Sequence, residues 1–252
     1  MRDTKQLPDR LSVVPIAEAM VEVRFDCDES AKVPELVVGR LAGRPEWRDF
    51  APLRLPIADI PAPVRMQDPN LKVQPVLELK RSDGLRLVKI GANAISYHAT
   101  SSYPGWVSLK PEMYSTVDFL FSQFTNFTAN RIGFRYINLL SAEEHHIPNL
   151  SVLDFSISVE GEPLSTSLNL NYHINHGKEH TVLVRIATPD FVQGVQKPFI
   201  AMIDVDVFTP SPFRTARSED AKSWIEDAHA YLKREFFSLL TPELISKLGG
   251  QQ

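Results

Sequence analysis

The chain is poor in the features that mark several familiar protein classes. It holds one cysteine, Cys27, among 252 residues. No intramolecular disulfide can form, so the disulfide-stapled secreted scaffolds are excluded and a reducing compartment fits best. Cys27 continues the alternation that runs through Val23 and Phe25, which suits a structural thiol rather than a nucleophile. No run approaches the roughly 20 apolar residues that span a bilayer. The most apolar candidate, Phe199 to Phe208, is cut by Asp204 and Asp206. The opening MRDTKQLPDRLSVVP has no apolar core of signal-peptide length. The expectation is a cytoplasmic protein with no membrane contact. Charge of one sign is also scarce: 27 basic against 31 acidic residues leave a net charge of −4. Nothing in that balance favours nucleic acid as a partner. G-x-S-x-G, P-loop, dinucleotide-binding and H-E-x-x-H patterns are all absent. With them go the signatures of the commonest hydrolases, nucleotide-cofactor enzymes and zinc peptidases. No catalytic residue, metal-ligand set or cofactor is assigned.

What is present is alternation. Hydrophobic residues make up 43% of the chain, enough for a sizeable core. Val21, Val23 and Phe25 alternate with Glu22 and Arg24, the mark of a half-buried strand. PELVVGRLAG reads as a short helix with Pro34 in its first turn and Gly43 at its end. The proline-dense stretch Pro52 to Pro69 predicts an extended edge segment without helix. Asp83-Gly84 predicts a hairpin turn before the strand that follows. Met113, Val117, Leu120, Phe121 and Phe124 form one stripe of a helix whose first position suits Pro111. RIGFRYIN, Leu164 to Ile174, TVLVRIAT and FIAMIDVDVF read as strands. Trp224, Ile225, Ala228, Leu232, Phe236 and Leu239 form the stripe of a long helix with Ser218 near its start.

These elements predict one α+β domain over residues 1–252: a long, mostly antiparallel, curved sheet packed by two long amphipathic helices. Each half, 10–141 and 150–249, runs strands and then one long helix, which suggests pseudo-twofold halves.

RIGFRYIN, PIAEAMVEVRF, Tyr103-Pro104-Gly105-Trp106, IDVDVF and the terminal FFSLLTPELISKLG span nearly the whole chain. In their order along the chain they resemble the markers of a sporadically distributed family of bacterial and archaeal proteins of similar length. The resemblance carries no established activity, cofactor or catalytic residue. It implies horizontally moved genes, such as mobile defence or toxin–antitoxin-like loci.

Several residue groups carry functional expectations. Arg131, Gly133, Arg135 and Ile137 share one strand face, and Asp204 with Asp206, and Glu22 with Arg24, share faces of their own strands. Arg131, Arg135, Asp204, Asp206, Glu22 and Arg24 therefore form either cross-strand ion pairs or a polar or anionic ligand site. An arginine fork suits the second, with Gly133 clearing room for a ligand. A subunit interface on the same face, and a metal pair at Asp204 and Asp206, are weaker alternatives. Tyr103 and Trp106 form either a hydrophobic anchor for the helix that follows or an interaction surface. His173, His176 and His180 fit no zinc spacing and read as a hairpin tip with exposed histidines. Two functions follow. One is a non-enzymatic interaction or regulatory protein that forms a homo-oligomer or binds a protein partner. The other is a small polar or anionic ligand binder, or an enzyme, using the Arg/Asp face.

Overall fold

The structure is a computed structural model that describes residues 7, 8, 10–163, 167–195 and 197–250. Leu164 to Thr166, the expected start of one strand, lie outside the described residues. The strands are β1 (Ile16–Asp26), β2 (Phe50–Arg54), β3 (Leu77–Arg81), β4 (Arg86–Ile90), β5 (Ala94–Thr100), β6 (Thr128–Leu140), the two-residue pair β7 (Ser158–Val159) and β8 (Glu162–Pro163), then β9 (Asn169–His176), β10 (His180–Ala187) and β11 (Ala201–Phe208). The helices are α1 (Val33–Ala42), α2 (Ala62–Gln67), α3 (Trp106–Gln123), α4 (Ala142–His145), α5 (Ser218–Ser238) and α6 (Pro242–Lys247).

Nine strands form one open antiparallel sheet in the order β2-β3-β4-β5-β1-β6-β11-β10-β9. It is the curved α+β sheet that the alternation predicts. The order reads outward from a central β1–β6 seam in the same sense on both sides. β5, β4 and β3 follow β1, while β11, β10 and β9 follow β6. Each meander is followed in the chain by a long helix, α3 or α5.

Alternation decides which face is buried. Val21, Val23 and Phe25 of β1, Ile132, Phe134 and Tyr136 of β6, and Ile203, Val205 and Val207 of β11 all lie in the core. Leu109, Met113, Val117 and Leu120 of α3 pack there, as do Trp224, Ile225, Ala228 and Leu232 of α5. Glu112 of α3 is held on this face by Arg86 at 2.6 Å and by the Tyr97 hydroxyl. Its carboxyl sits below the ordinary value: burial would raise it, but those two bonds prevail. α3 and α5 touch through Tyr114, whose hydroxyl donates to the Lys222 carbonyl and to Glu226, both at 3.0 Å.

Three expectations change. α3 starts at Trp106 and encloses Pro111 instead of starting there. The ring removes one intrahelical hydrogen bond, to residue 107, where the helix is at the surface with Val107 87% exposed. The proline-dense stretch does contain a helix, α2, because Pro61 and Pro63 fall at its N-terminal end, where no N–H is needed. The edge strand is β2, which includes Pro52. Third, the β9–β10 hairpin turns at Gly177, with φ of 67°, but His180 is only 4% exposed. Its ring stacks on Trp224 at 5.1 Å and contacts Tyr231 at 4.8 Å, so α5 covers it.

Candidate functional site

The second face of the sheet faces away from α3 and α5, and its side chains run in rows across the strands. One row reads Lys89, Ser96, Glu22, Gly133 and Phe208 from β4 to β11. The next reads Leu87, His98, Met20, Arg135, Asp206 and Leu183. A third reads Thr100, Glu18, Ile137, Asp204 and Arg185. The structure thus brings Arg131, Arg135, Asp204, Asp206, Glu22 and Arg24 onto one surface.

Those charges are paired among themselves. Arg135 grips Asp204 with a fork, Nε to Oδ1 at 2.7 Å and Nη2 to Oδ2 at 2.5 Å. Arg131 donates to Glu22 at 2.8 Å, and Arg24 donates to the same oxygen at 2.7 Å. The Arg131 guanidinium also lies over the Phe208 ring at 4.8 Å. Gly133 makes room for that arginine and not for a ligand. A Cβ there would stand 2.8 Å from Arg131 Nη1.

Asp206 is the exception. Its nearest cationic nitrogen is Arg131 Nη2, at 3.7 Å, beyond hydrogen-bond reach. Burial pushes its carboxyl up to about 6, with the neighbouring Asp204 and Glu22 charges adding to the rise and Arg131 and Arg135 opposing it. The Arg135 fork engages both oxygens of Asp204, which opposes a metal shared between the two aspartates. Among the described residues no group of three or more His, Cys, Asp or Glu could hold a metal ion.

Beside the ionic rows lies a chain of hydrogen bonds that the sequence reading missed. Ser96 Oγ is 2.7 Å from His98 Nε2, and His98 Nδ1 is 2.6 Å from Glu18 Oε1. A carboxylate only accepts, so Nδ1 carries the proton, and in the neutral ring Nε2 accepts from the serine hydroxyl. Burial would raise the Glu18 carboxyl, but the His98 hydrogen bond outweighs it, with Lys89 and Arg135 helping, and holds it below the ordinary value. Ser96 is 9% exposed and His98 3%. The available signal was Ser-x-His on a strand, which alternation alone places on one side.

Tyr103 and Trp106 pack against the core-side residues. The two hydroxyls of Tyr103 and Tyr136 are 2.9 Å apart. Trp106 stacks on His229 at 4.4 Å and donates to Glu226 at 3.2 Å. Burial drives the His229 imidazole down to about 4.

A separate open groove of about 710 Å³ lies between the β9–β10 turn and α5. Its rim carries both charge signs, Lys178 and Arg234 against Glu179 and Asp227. His176 sits at this groove between Arg234, 2.8 Å from Nε2, and Glu235 at 3.1 Å.

No protein-family model matches the chain, and no curated protein matches it. The functional reading therefore rests on the geometry.

Proposed function

We propose that the protein binds a small polar ligand on the open face of its sheet. The observation that carries this reading is Asp206. A carboxyl pushed up to about 6, with no cationic nitrogen within hydrogen-bond reach, stands in the middle of a face where the other acids are paired. Acids left under-compensated in this way cluster at functional sites. The Arg135 fork is taken up by Asp204 and Arg131 is bound to Glu22, so their role is to fix the surface and not to clamp a free anion. The ligand's contacts fall to Asp206, Ser96 and Lys89, which favours a neutral or zwitterionic molecule with hydrogen-bond donors for Asp206.

Native mass spectrometry of the protein purified from its own host tests this. A retained small mass that is lost in Asp206→Asn, with the melting temperature not lowered, is the expected result. Wild-type protein that carries no ligand and gains none from a polar metabolite extract would sink the reading.

A second reading is a self-associating interaction or regulatory protein of a mobile defence or toxin–antitoxin-like locus. What favours it is the internal pairing of the arginines together with Met20, Ile137, Leu183 and Phe208, apolar side chains spread over the same face. The same spectrum would then show a homo-oligomer or a protein complex without the small mass.

A further inference from the structure

The Ser96–His98–Glu18 chain carries more than binding. We propose that it is a nucleophilic relay that cleaves carboxylic esters on the open sheet face. The proposal rests on the reading of that face as a ligand surface and assigns the ligand's chemistry.

The geometry supplies the nucleophile, the base and the orienting carboxylate that acyl transfer needs. The nucleophile is the Ser96 hydroxyl, 2.7 Å from a basic imidazole nitrogen. The base is His98, whose other nitrogen is fixed by Glu18 at 2.6 Å. That bond selects the tautomer with Nε2 free to accept, and the carboxylate steadies the imidazolium when it forms. Glu18 is therefore the positioning residue, and Ser96 and His98 the catalytic pair.

The surroundings suit the charge that develops. Lys89 lies directly across from Ser96 in the β4–β5 register, on the same face, where opposed Cβ atoms are about 4.5–5.5 Å apart. Its ammonium is the candidate donor to the oxyanion. On the other side Ser96 is opposed by Glu22, a charge that would repel the oxyanion. Arg24 and Arg131 bind that carboxylate at 2.7 and 2.8 Å, which reduces the repulsion.

The reaction balances with water as co-reactant. Ser96 Oγ bonds to the ester carbonyl carbon while its proton passes to His98 Nε2. The tetrahedral adduct collapses, the carbon–oxygen bond to the alcohol breaks, and the alcohol leaves with the proton from Nε2. Water then attacks the acyl-serine, giving its proton to Nε2, and the Ser96 oxygen takes that proton back as the acid departs. In the same row as His98, Met20 comes first and then Arg135 and Asp206. The substrate class is therefore an ester with a short apolar segment next to the carbonyl and hydrogen-bonding groups beyond it.

A fluorophosphonate probe applied to the full chain, with the adduct mapped by peptide mass spectrometry, tests the relay. Labelling at Ser96 is expected, with none in Ser96→Ala. His98→Gln should slow it about 10²–10⁴-fold, the range that a general base supplies. Glu18→Gln keeps an acceptor for the Nδ1 hydrogen and so should fold, yet label slowly, and Glu18→Asp should recover part of the rate. Folding of each variant is checked by circular dichroism. Folded wild-type protein that stays unlabelled at Ser96, or labels equally at other serines, overturns the proposal. So does labelling that survives His98→Gln in a folded chain. A ligand retained on the face without Ser96 labelling would overturn the relay and leave the binding reading standing.

Discussion

The guanidinium of Arg131 occupies the space above Gly133. A Cβ on Gly133 would stand 2.8 Å from Nη1, and the arginine reaches across this gap to Glu22 at 2.8 Å. The obstacle is the end of a flexible side chain, so Gly133→Ala should displace the arginine and leave the strand in place. Alanine otherwise gains about 0.5–1 kcal/mol over glycine within a strand. The expected net effect in the wild-type background is a loss of less than about 1 kcal/mol. In an Arg131→Ala background the same change should become stabilising. A double-mutant cycle by urea denaturation measures the difference.

Arg135 and Asp204 form a forked ion pair on the open face, and Asp204 has a side chain only 8% exposed. Arg135→Ala leaves that carboxylate buried without its fork. A loss of about 2–4 kcal/mol is expected, lower than for a fully buried pair because Arg135 is itself partly solvated. Arg135→Met combined with Asp204→Leu should cost less than Arg135→Ala alone. Equilibrium unfolding of the three proteins decides this.

Asp206 makes stability depend on pH. Its folded value of about 6 lies above the ordinary 3.8. A raised acid contributes stability that is full below about 3.8 and lost as pH rises through about 6. Two units correspond to at most about 3 kcal/mol. Asp206→Asn should therefore gain stability relative to wild type at pH 7.5, by about 1–3 kcal/mol, and match it near pH 4. Urea midpoints at the two pH values test this.

His229 works in the opposite direction. Its ring is stacked against Trp106, and its folded value of about 4 lies below the ordinary 6.5. A depressed base contributes stability that is present above about 6.5 and lost as pH falls through about 4. His229→Phe keeps a ring for the stack and removes the proton-binding site. It should resist acid better than wild type by about 1–3 kcal/mol at pH 4 and differ little from it at pH 7.5. Between pH 4 and 6 the Asp206 and His229 slopes oppose each other, so either single variant should show a steeper pH profile in that window than wild type does.

The faces of the strands were legible and their registers were not. Alternation in VEVRF, RIGFRYIN and IDVDV suffices to put Arg131, Arg135, Asp204 and Asp206 on one side, because successive residues point to opposite faces. Which aspartate meets which arginine depends on strand pairing across long loops. The register sets Asp206 opposite Arg135, yet the fork goes diagonally to Asp204. Ser96 and His98 become a relay only because β1 brings Glu18 beside them from far along the chain. The NHGKE turn was legible from its local chemistry, but the burial of His180 comes from Trp224 and Tyr231 of α5. Pro111 misled because proline commonly opens helices, and here the helix gains more from Trp106 packing on Phe134 and His229 than it loses at the ring.

β1 occupies the central position of the sheet, between β5 and β6. During synthesis it leaves the ribosome before either neighbour exists, since β5 begins at Ala94 and β6 at Thr128. Until then the strand exposes Val21, Val23 and Phe25 and two unpaired edges, which is the condition that invites association with other chains. The meanders beside it, β3 to β5 and β9 to β11, close through short-range hairpins and can form early. The seam waits for contacts across more than a hundred residues and should be the slow step. A nascent chain stalled before Thr128 is therefore where a chaperone would be most needed, and the alternating Glu18, Glu22, Arg24 and Asp26 are the charges of β1 that help keep VEVRF in solution on the way.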